Sequence, residues 1–349
     1  MAIRDFWGFD NIPPYTAGAT ALNYLRGDIV VTNYYTNYGT VIKGTGSWAN
    51  WLTCIGATNP YPNTNYGTYN PLISIPYQNL SVFSAPRSFI GMRFQVNNNS
   101  LSVPVLYLQN TAGTKQTLVL NTQLALNTPQ YIEVMIDRAN TQIVVWIDGV
   151  QVSSTFFDFN AFVSADGNAW LVWGCNNPSA TYTWYLRDVY FIDDTQDATQ
   201  CNRLGPVDVT PAALASVTAP NWTSSDSSTA LVDLSTPLGT TAGSQNAPLL
   251  TEPATMDPLQ FKLSNAGLIA GESILAAKAD VSGQRTASYI FAPQASVSYN
   301  GQSVNGKQIT YPNGAQMYWN QNAFVLEKAP DGTPFTPQSL AAMVATLTP

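Results

Sequence analysis

Glu133 and Asp137, four residues apart, are the pair of carboxylates in this sequence best placed for acid–base chemistry, and their spacing argues against it. Both fall in the run Tyr131-Ile132-Glu133-Val134-Met135-Ile136-Asp137, whose β-branched and aromatic residues favour a strand. Four residues of strand put the two Cα atoms about 13 Å apart. A retaining glycosidase needs its carboxyls roughly 5–5.5 Å apart and an inverting one about 6.5–9.5 Å. The pair overshoots both. Glu252, Glu272 and Glu327 are the remaining glutamates, and the sequence contains no histidine. Ser-His-Asp and Cys-His nucleophile systems, histidine metal ligands and histidine proton shuttles are therefore excluded. The reading is non-enzymatic, with no catalytic residue and no cofactor.

Three further groups have the right chemistry for binding. Asp193, Asp194 and Asp197 offer carboxylate oxygens of the kind that hold calcium. Neighbours on a strand point to opposite faces, so a turn would have to bring Asp193 and Asp194 together, and a solvated loop is the expectation. Tyr34, Tyr35, Tyr38, Tyr61 and Tyr66 stand among Asn, Thr and Gly, read as loops. Their rings could stack on a sugar or a partner surface while neighbouring amides bind hydroxyls. Cys54, Cys175 and Cys201 are an odd, widely spaced set with no metal-ligand spacing, which reads as buried free thiols.

Composition narrows the partners. Charged residues are only 10% of the chain, so its wetted surface must consist largely of Asn, Thr, Ser, Gln and Tyr. With 14 Lys and Arg against 21 Asp and Glu, the formal charge is -7. That sign repels a phosphate backbone, and nucleic acid is not expected as a partner. The sequence has no apolar run long enough to span a bilayer and no secretory leader pattern at Met1, so membrane insertion is not expected and synthesis in a cytoplasm is.

The elements that must position these residues are strands. Tyr131–Ile136 and Gln142–Ile147 flank the polar turn Asp137-Arg138-Ala139-Asn140 and read as a β-hairpin. Alternation places Ile132, Val134 and Ile136 on one side and Ile143, Val145 and Ile147 on the matching side, which is the core face. Asp148-Gly149 supplies the next tight turn and Val150-Gln151-Val152 the return strand. Ser88 to Val96 alternates in the same way, with Ile90, Met92, Phe94 and Val96 inward. Further strands are expected at Val103–Tyr107, Gln116–Leu120, Trp170–Cys175 and Thr183–Asp193. Together they describe an all-β antiparallel sandwich over residues 1–205. From there Arg203-Leu204-Gly205-Pro206 leads away from the sandwich.

The order of Gly8-Phe9-Asp10, Phe89-Ile90-Gly91-Met92-Arg93-Phe94, Trp146-Ile147-Asp148-Gly149 and Leu186-Arg187-Asp188-Val189-Tyr190-Phe191-Ile192-Asp193 resembles the concanavalin A-like, laminin G-like jelly roll of tailed-bacteriophage virion proteins. Leu204-Gly205-Pro206-Val207-Asp208-Val209, Asn221-Trp222-Thr223 and Pro334–Leu340 extend the likeness over most of the chain. The resemblance implies a structural component of a virion, either a head decoration or a tail, baseplate or fibre part. Its partners would be other virion proteins and copies of itself. The alternative is a glycan-binding adhesin or receptor-binding protein of the virion, with a host-surface glycan as ligand.

Residues 206–349 read as a linker-rich segment followed by a smaller β domain for assembly contacts. Ser224 to Pro258 is rich in Ser, Thr, Pro, Gly and Ala and offers little apolar surface to offset its ordering entropy. This segment and the C-terminal tail are expected to be ordered by neighbouring copies in a symmetric homo-oligomer. Asn300-Gly301 and Asn313-Gly314 mark hairpin turns. Thr336 followed by Pro337 starts a short C-terminal helix, expected to run to about Thr346.

Overall fold

The computed structural model describes residues 3–7, 25–26, 29–35, 39–45, 51–53, 70–76, 85–96, 104–110, 115–120, 122–158, 169–175, 183–194, 201–210, 212–225, 227, 229–231, 250–251, 253, 255–264, 272–285, 292–309 and 314–349. The chain divides into two compact units, one running to Val209 and the other from Thr210 to Pro349.

Alternation along the hairpin sets the packing of the first unit. Gln130–Asp137 pairs antiparallel with Gln142–Ile147 on one flank and with Arg87–Val96 on the other. Arg87–Val96 in turn pairs with Thr183–Asp193. These registers align Val145, Val134, Ile90 and Phe191 in one row across four strands. All four are buried, and Val145 and Phe191 are 0% exposed. That row is the centre of the core.

Among the described residues the full sheet has eight strands. Their order is Val150–Phe156, Gln142–Ile147, Gln130–Asp137, Arg87–Val96, Thr183–Asp193, Gly39–Thr45 and Ile29–Tyr35, with Ile3–Trp7 also on Thr183–Asp193. A second sheet orders Leu25–Arg26, Trp51–Thr53, Asn70–Pro76, Ala169–Cys175, Pro104–Asn110 and Lys115–Val119. Within it Trp51–Thr53 and Asn70–Pro76 run parallel, and the other pairs are antiparallel. The first unit is a jelly-roll-like sandwich. Asp148 and Gly149 take φ values of 49° and 82°, the left-handed pair that a two-residue hairpin turn needs.

The second unit is also β. Its five-stranded sheet orders Leu214–Thr218, Leu259–Leu263, Val344–Thr348, Gln294–Tyr299 and Gln302–Gln308. One side carries Val297 and Ala345 into a cluster with Ala329, Phe335, Leu340 and Met343. Asn300 and Gly301, at φ 49° and 75°, make the expected turn between its last two strands in chain order before the C-terminal one. Asn313 lies outside the described residues.

The C-terminal expectation needs correction. Thr336 does cap a helix: its side chain accepts from Ser339 N at 3.0 Å, while Ser339 Oγ accepts from Thr336 N at 2.8 Å. The helix, however, covers only Pro337–Ala342, and Met343 turns extended with ψ 145°. Val344–Thr348 is then a strand in the middle of the sheet, hydrogen-bonded to Leu259–Leu263 and Gln294–Tyr299. Its β-branched residues and two available partners outweigh the helix start. The tail thus pairs with strands of its own chain. Of the linker-rich segment, Thr223–Ser224 pairs with Leu250–Thr251, and residues 232–249 lie outside the described set.

Replacing Val145 with Asp would place an unpaired charge in the central row, where burial costs several kcal/mol. The expected outcome is loss of the cooperative thermal transition of the first unit, read by near-ultraviolet circular dichroism. A soluble Val145→Asp protein that melts cooperatively would contradict the assignment of this row to the core.

Candidate functional site

The side of the eight-stranded sheet opposite the core should, by alternation, be wet. It is not. Phe89, Gly91, Gln95, Tyr131, Glu133, Arg187 and Tyr190 are all buried, and Arg93 is partly so. One row there reads Trp146, Glu133, Gly91 and Tyr190, and the next brings Tyr131, Arg93 and Arg187 together. Residues 201–209 cover these rows. Cys201 Sγ lies 3.6 Å from Arg87 O, Gly205 reaches the row of Gly91, and Val207 and Asp208 reach Arg93. The segment therefore runs along the strand Arg87–Val96, in the same direction, instead of leading away from the sandwich.

Glu133 is the centre of the contact. Its carboxylate is 0% exposed and accepts from Tyr190 Oη at 2.6 Å, Gly205 N at 2.8 Å and Arg203 at 2.9 Å. Tyr190 Oη also accepts from Leu204 N at 3.3 Å. Burial, with Glu133 beside it, pushes the Tyr190 phenol well above its ordinary value, so it stays a donor. The Arg203 guanidinium also lies 5.2 Å from the centroid of the Trp146 ring. The Tyr190 ring lies over Gly91, and a Cβ at that position would fall well inside contact distance of it.

A second centre is Asp188, at φ 53° in a one-residue bulge between Arg187 and Tyr190. Its side chain accepts from Arg187 Nε at 2.7 Å, Arg93 Nε at 2.8 Å and Val209 N at 3.1 Å. Its own carbonyl accepts from Tyr131 Oη at 3.0 Å. Burial pushes the Asp188 carboxyl up from its usual range, against the pull of Arg187 and Arg93. Arg93 further donates to Asp208 Oδ1 at 2.8 Å and Val207 O at 3.2 Å, and Arg187 donates to Val209 O at 3.1 Å. Five backbone groups of residues 204–209 are thus met by side chains of the sheet.

The sequence candidates fare differently. Asp137 does not join Glu133: it accepts from Asn140 N at 3.0 Å and Asn140 Nδ2 at 2.9 Å, closing the hairpin turn, and pairs with Arg87 at 3.4 Å. Asp193 ends its strand fully buried and Asp194 is half-buried, while Asp197 lies outside the described residues. Among the described residues no group of three acidic or thiol side chains converges on a cation site. Tyr34 and Tyr35 end the strand Ile29–Tyr35, because the Ile29-Val30-Val31-Thr32 run carries on through them, and do not stand in a loop. Tyr38, Tyr61 and Tyr66 lie outside the described residues. Cys201 is a buried free thiol, pushed up to about 12 by burial and then by Asp194. Arg93, Arg187, Asp188, Tyr190, Arg203 and Asp208 join the site although local patterning marks none of them as a site residue. The available signal was charge inside otherwise apolar strands of a chain with few charges.

No protein-family model matches the sequence, and no curated protein does. Among solved structures the chain is similar to a cellulose-induced protein, at 9% identity and TM-score 0.33, covering 58% of this chain and 100% of that one. It is similar to a xylan-binding domain from Paenibacillus barcinonensis, at 11% identity and TM-score 0.29, covering 55% and 94%. A third is domain 4 of an extracellular arabinanase from Geobacillus stearothermophilus, solved in complex with arabinotriose, at 9% identity and TM-score 0.30, covering 55% and 92%. The chain also matches a sialidase, of whose length it spans 17%. Identities and scores of this size carry no argument about function.

Glu133→Gln would turn an amide towards Arg203 in place of a carboxylate and remove the ion pair. It should lower the unfolding free energy by about 1.5–3 kcal/mol, the range for a hydrogen bond to a charged group. Gly91→Ala should cost about 1–3 kcal/mol by forcing the Tyr190 ring off its position. Chemical denaturation measures both, and hydrogen exchange should show the amides of Leu204 and Gly205 losing protection in each variant. Unchanged protection would contradict the role given to Glu133.

Proposed function

We propose that the chain is a non-catalytic structural component of a tailed-bacteriophage virion, a head decoration or a tail, baseplate or fibre part. It is made in the host cytoplasm and acts through contacts with other virion proteins and with copies of itself. One observation carries the non-catalytic part of this reading. Glu133, Asp137 and Asp188, three carboxylates of the central strands, are buried and engaged by donors of their own chain. None is left facing a substrate, and Arg87, Arg93, Arg187 and Arg203 are held in the same contacts.

The surface supports the assembly part. On the side of the second unit's sheet away from its core, Thr218, Gln260, Thr346, Ser296 and Asn305 form one row across five strands. Lys262 is the charged residue of the neighbouring row, with Ser216, Val344, Ser298 and Ser303. Hydroxyls and amides donate and accept alike, so such a face pairs with other neutral polar surfaces without requiring charge complementarity. A glycan-binding role for the virion protein is the second reading. It is favoured by Phe156, an aromatic side chain 66% exposed on the edge strand Val150–Phe156, where a sugar ring could stack.

A glycan array on the purified full chain separates the two readings. The structural reading expects no saturable signal, whereas saturable binding reduced by Phe156→Ala would establish the second. Polysaccharide hydrolysis assays should show no turnover. Turnover abolished by Glu133→Gln would overturn the non-catalytic reading.

A further inference from the structure

The contact between residues 203–209 and the sheet has the form of a protein–peptide complex. An extended segment lies on a surface built from three adjacent strands. It is held by Glu133 and Tyr190 on the amides of Leu204 and Gly205, Arg93 on the carbonyl of Val207, and Asp188 and Arg187 on the amide and carbonyl of Val209. With the segment in place the receiving groups are closed off from water: Glu133 and Asp188 are fully buried, and Arg187 is nearly so. Two side chains of the segment add ion pairs, Arg203 to Glu133 and Asp208 to Arg93. Gly205 sits at φ 77°, which selects glycine at that point. Recognition therefore combines backbone pairing, one left-handed residue and one charge of each sign.

We propose that this face of the first unit is a peptide-binding site, occupied in cis by residues 203–209, and that the ligand it takes in trans is the same segment of a second copy. The contacts made in cis and in trans are identical, so exchange between copies changes no interaction and is governed by effective concentration. In dilute solution the covalent linkage favours the chain's own segment. Where copies are crowded the neighbour's segment competes, and exchange links one copy to the next. The proposal concerns the sheet face alone and stands whichever reading of the surface, assembly or glycan, holds.

The test weakens the segment and alters no residue of the receiving face. A full-length chain carrying Gly205→Val and Asp208→Ala should release residues 203–209, seen as lost amide protection in hydrogen exchange. A fluorescent synthetic peptide spanning residues 202–210 should then bind this variant saturably, one to one, and raise its melting temperature as peptide concentration increases. Wild-type chain, with its site filled in cis, should bind the peptide at least tenfold more weakly. The same peptide with valine at the Gly205 position should also bind the variant about tenfold more weakly, since a β-branched residue resists a positive φ. Should the double variant fail to fold, Asp208→Ala alone, at a side chain 54% exposed, serves in its place. Absence of peptide binding to a variant whose own segment is released would overturn the proposal, as would equal binding of the valine peptide.

Discussion

A carboxylate buried in the middle of a sheet is the constraint on which the first unit depends. Taking Glu133 out of water carries a desolvation penalty of several kcal/mol, which holds unless its oxygens are fully met. The sheet itself supplies Tyr190 alone. The other two donors, Arg203 and the amide of Gly205, come from residues that follow the last strand. The sheet and the covering segment are therefore conditions of each other: without the segment Glu133 is an under-paired buried charge, and without Glu133 the segment loses its central anchor. Gly91 belongs to the same arrangement, since the missing side chain is what lets the Tyr190 ring lie flat and reach Glu133.

Much of the inner architecture was legible because it obeys a local rule. Period-two alternation places Ile90, Met92, Val134, Ile136, Val145 and Ile147 in the core, and Asp148-Gly149 and Asn300-Gly301 take the left-handed angles expected of them. The second face was illegible for the same reason. Alternation assigns Glu133, Arg93 and Arg187 to a wet side, and nothing near them in sequence says otherwise. Their partners are distant: Gly205 is 72 residues from Glu133, and Val207 is 114 from Arg93. The C-terminal strand shows the limit from the other direction. Thr336 and Pro337 announce a helix correctly, but where it stops depends on two strands that stand ready to pair with Val344–Thr348.

The placement of charge inverts the usual arrangement. In a chain with only 14 Lys and Arg, four arginines are drawn into contacts on one sheet, each facing a carboxylate. What remains for the outer face of the second unit's sheet is mostly hydroxyl and amide, with Lys262 among them. Such a surface has weak long-range fields, so encounter with a partner is neither steered nor repelled strongly, and contact is decided at short range by shape and hydrogen bonding.

Apolar residues of similar volume could stabilise the buried face as well as or better than ion pairs do. The difference lies in register. An extended segment held only by apolar contacts can slip by two residues and present an equivalent face, because its side chains repeat with that period. Slippage of residues 203–209 by two would take the amide of Gly205 from Glu133, remove Asp208 from Arg93, and demand a positive φ from a residue other than glycine. The first two losses fall on contacts of Glu133 and Arg93, which lie on the covered face of the sheet. The network thus fixes one alignment of the segment on the sheet, and with it the position at which Thr210 leaves the first unit.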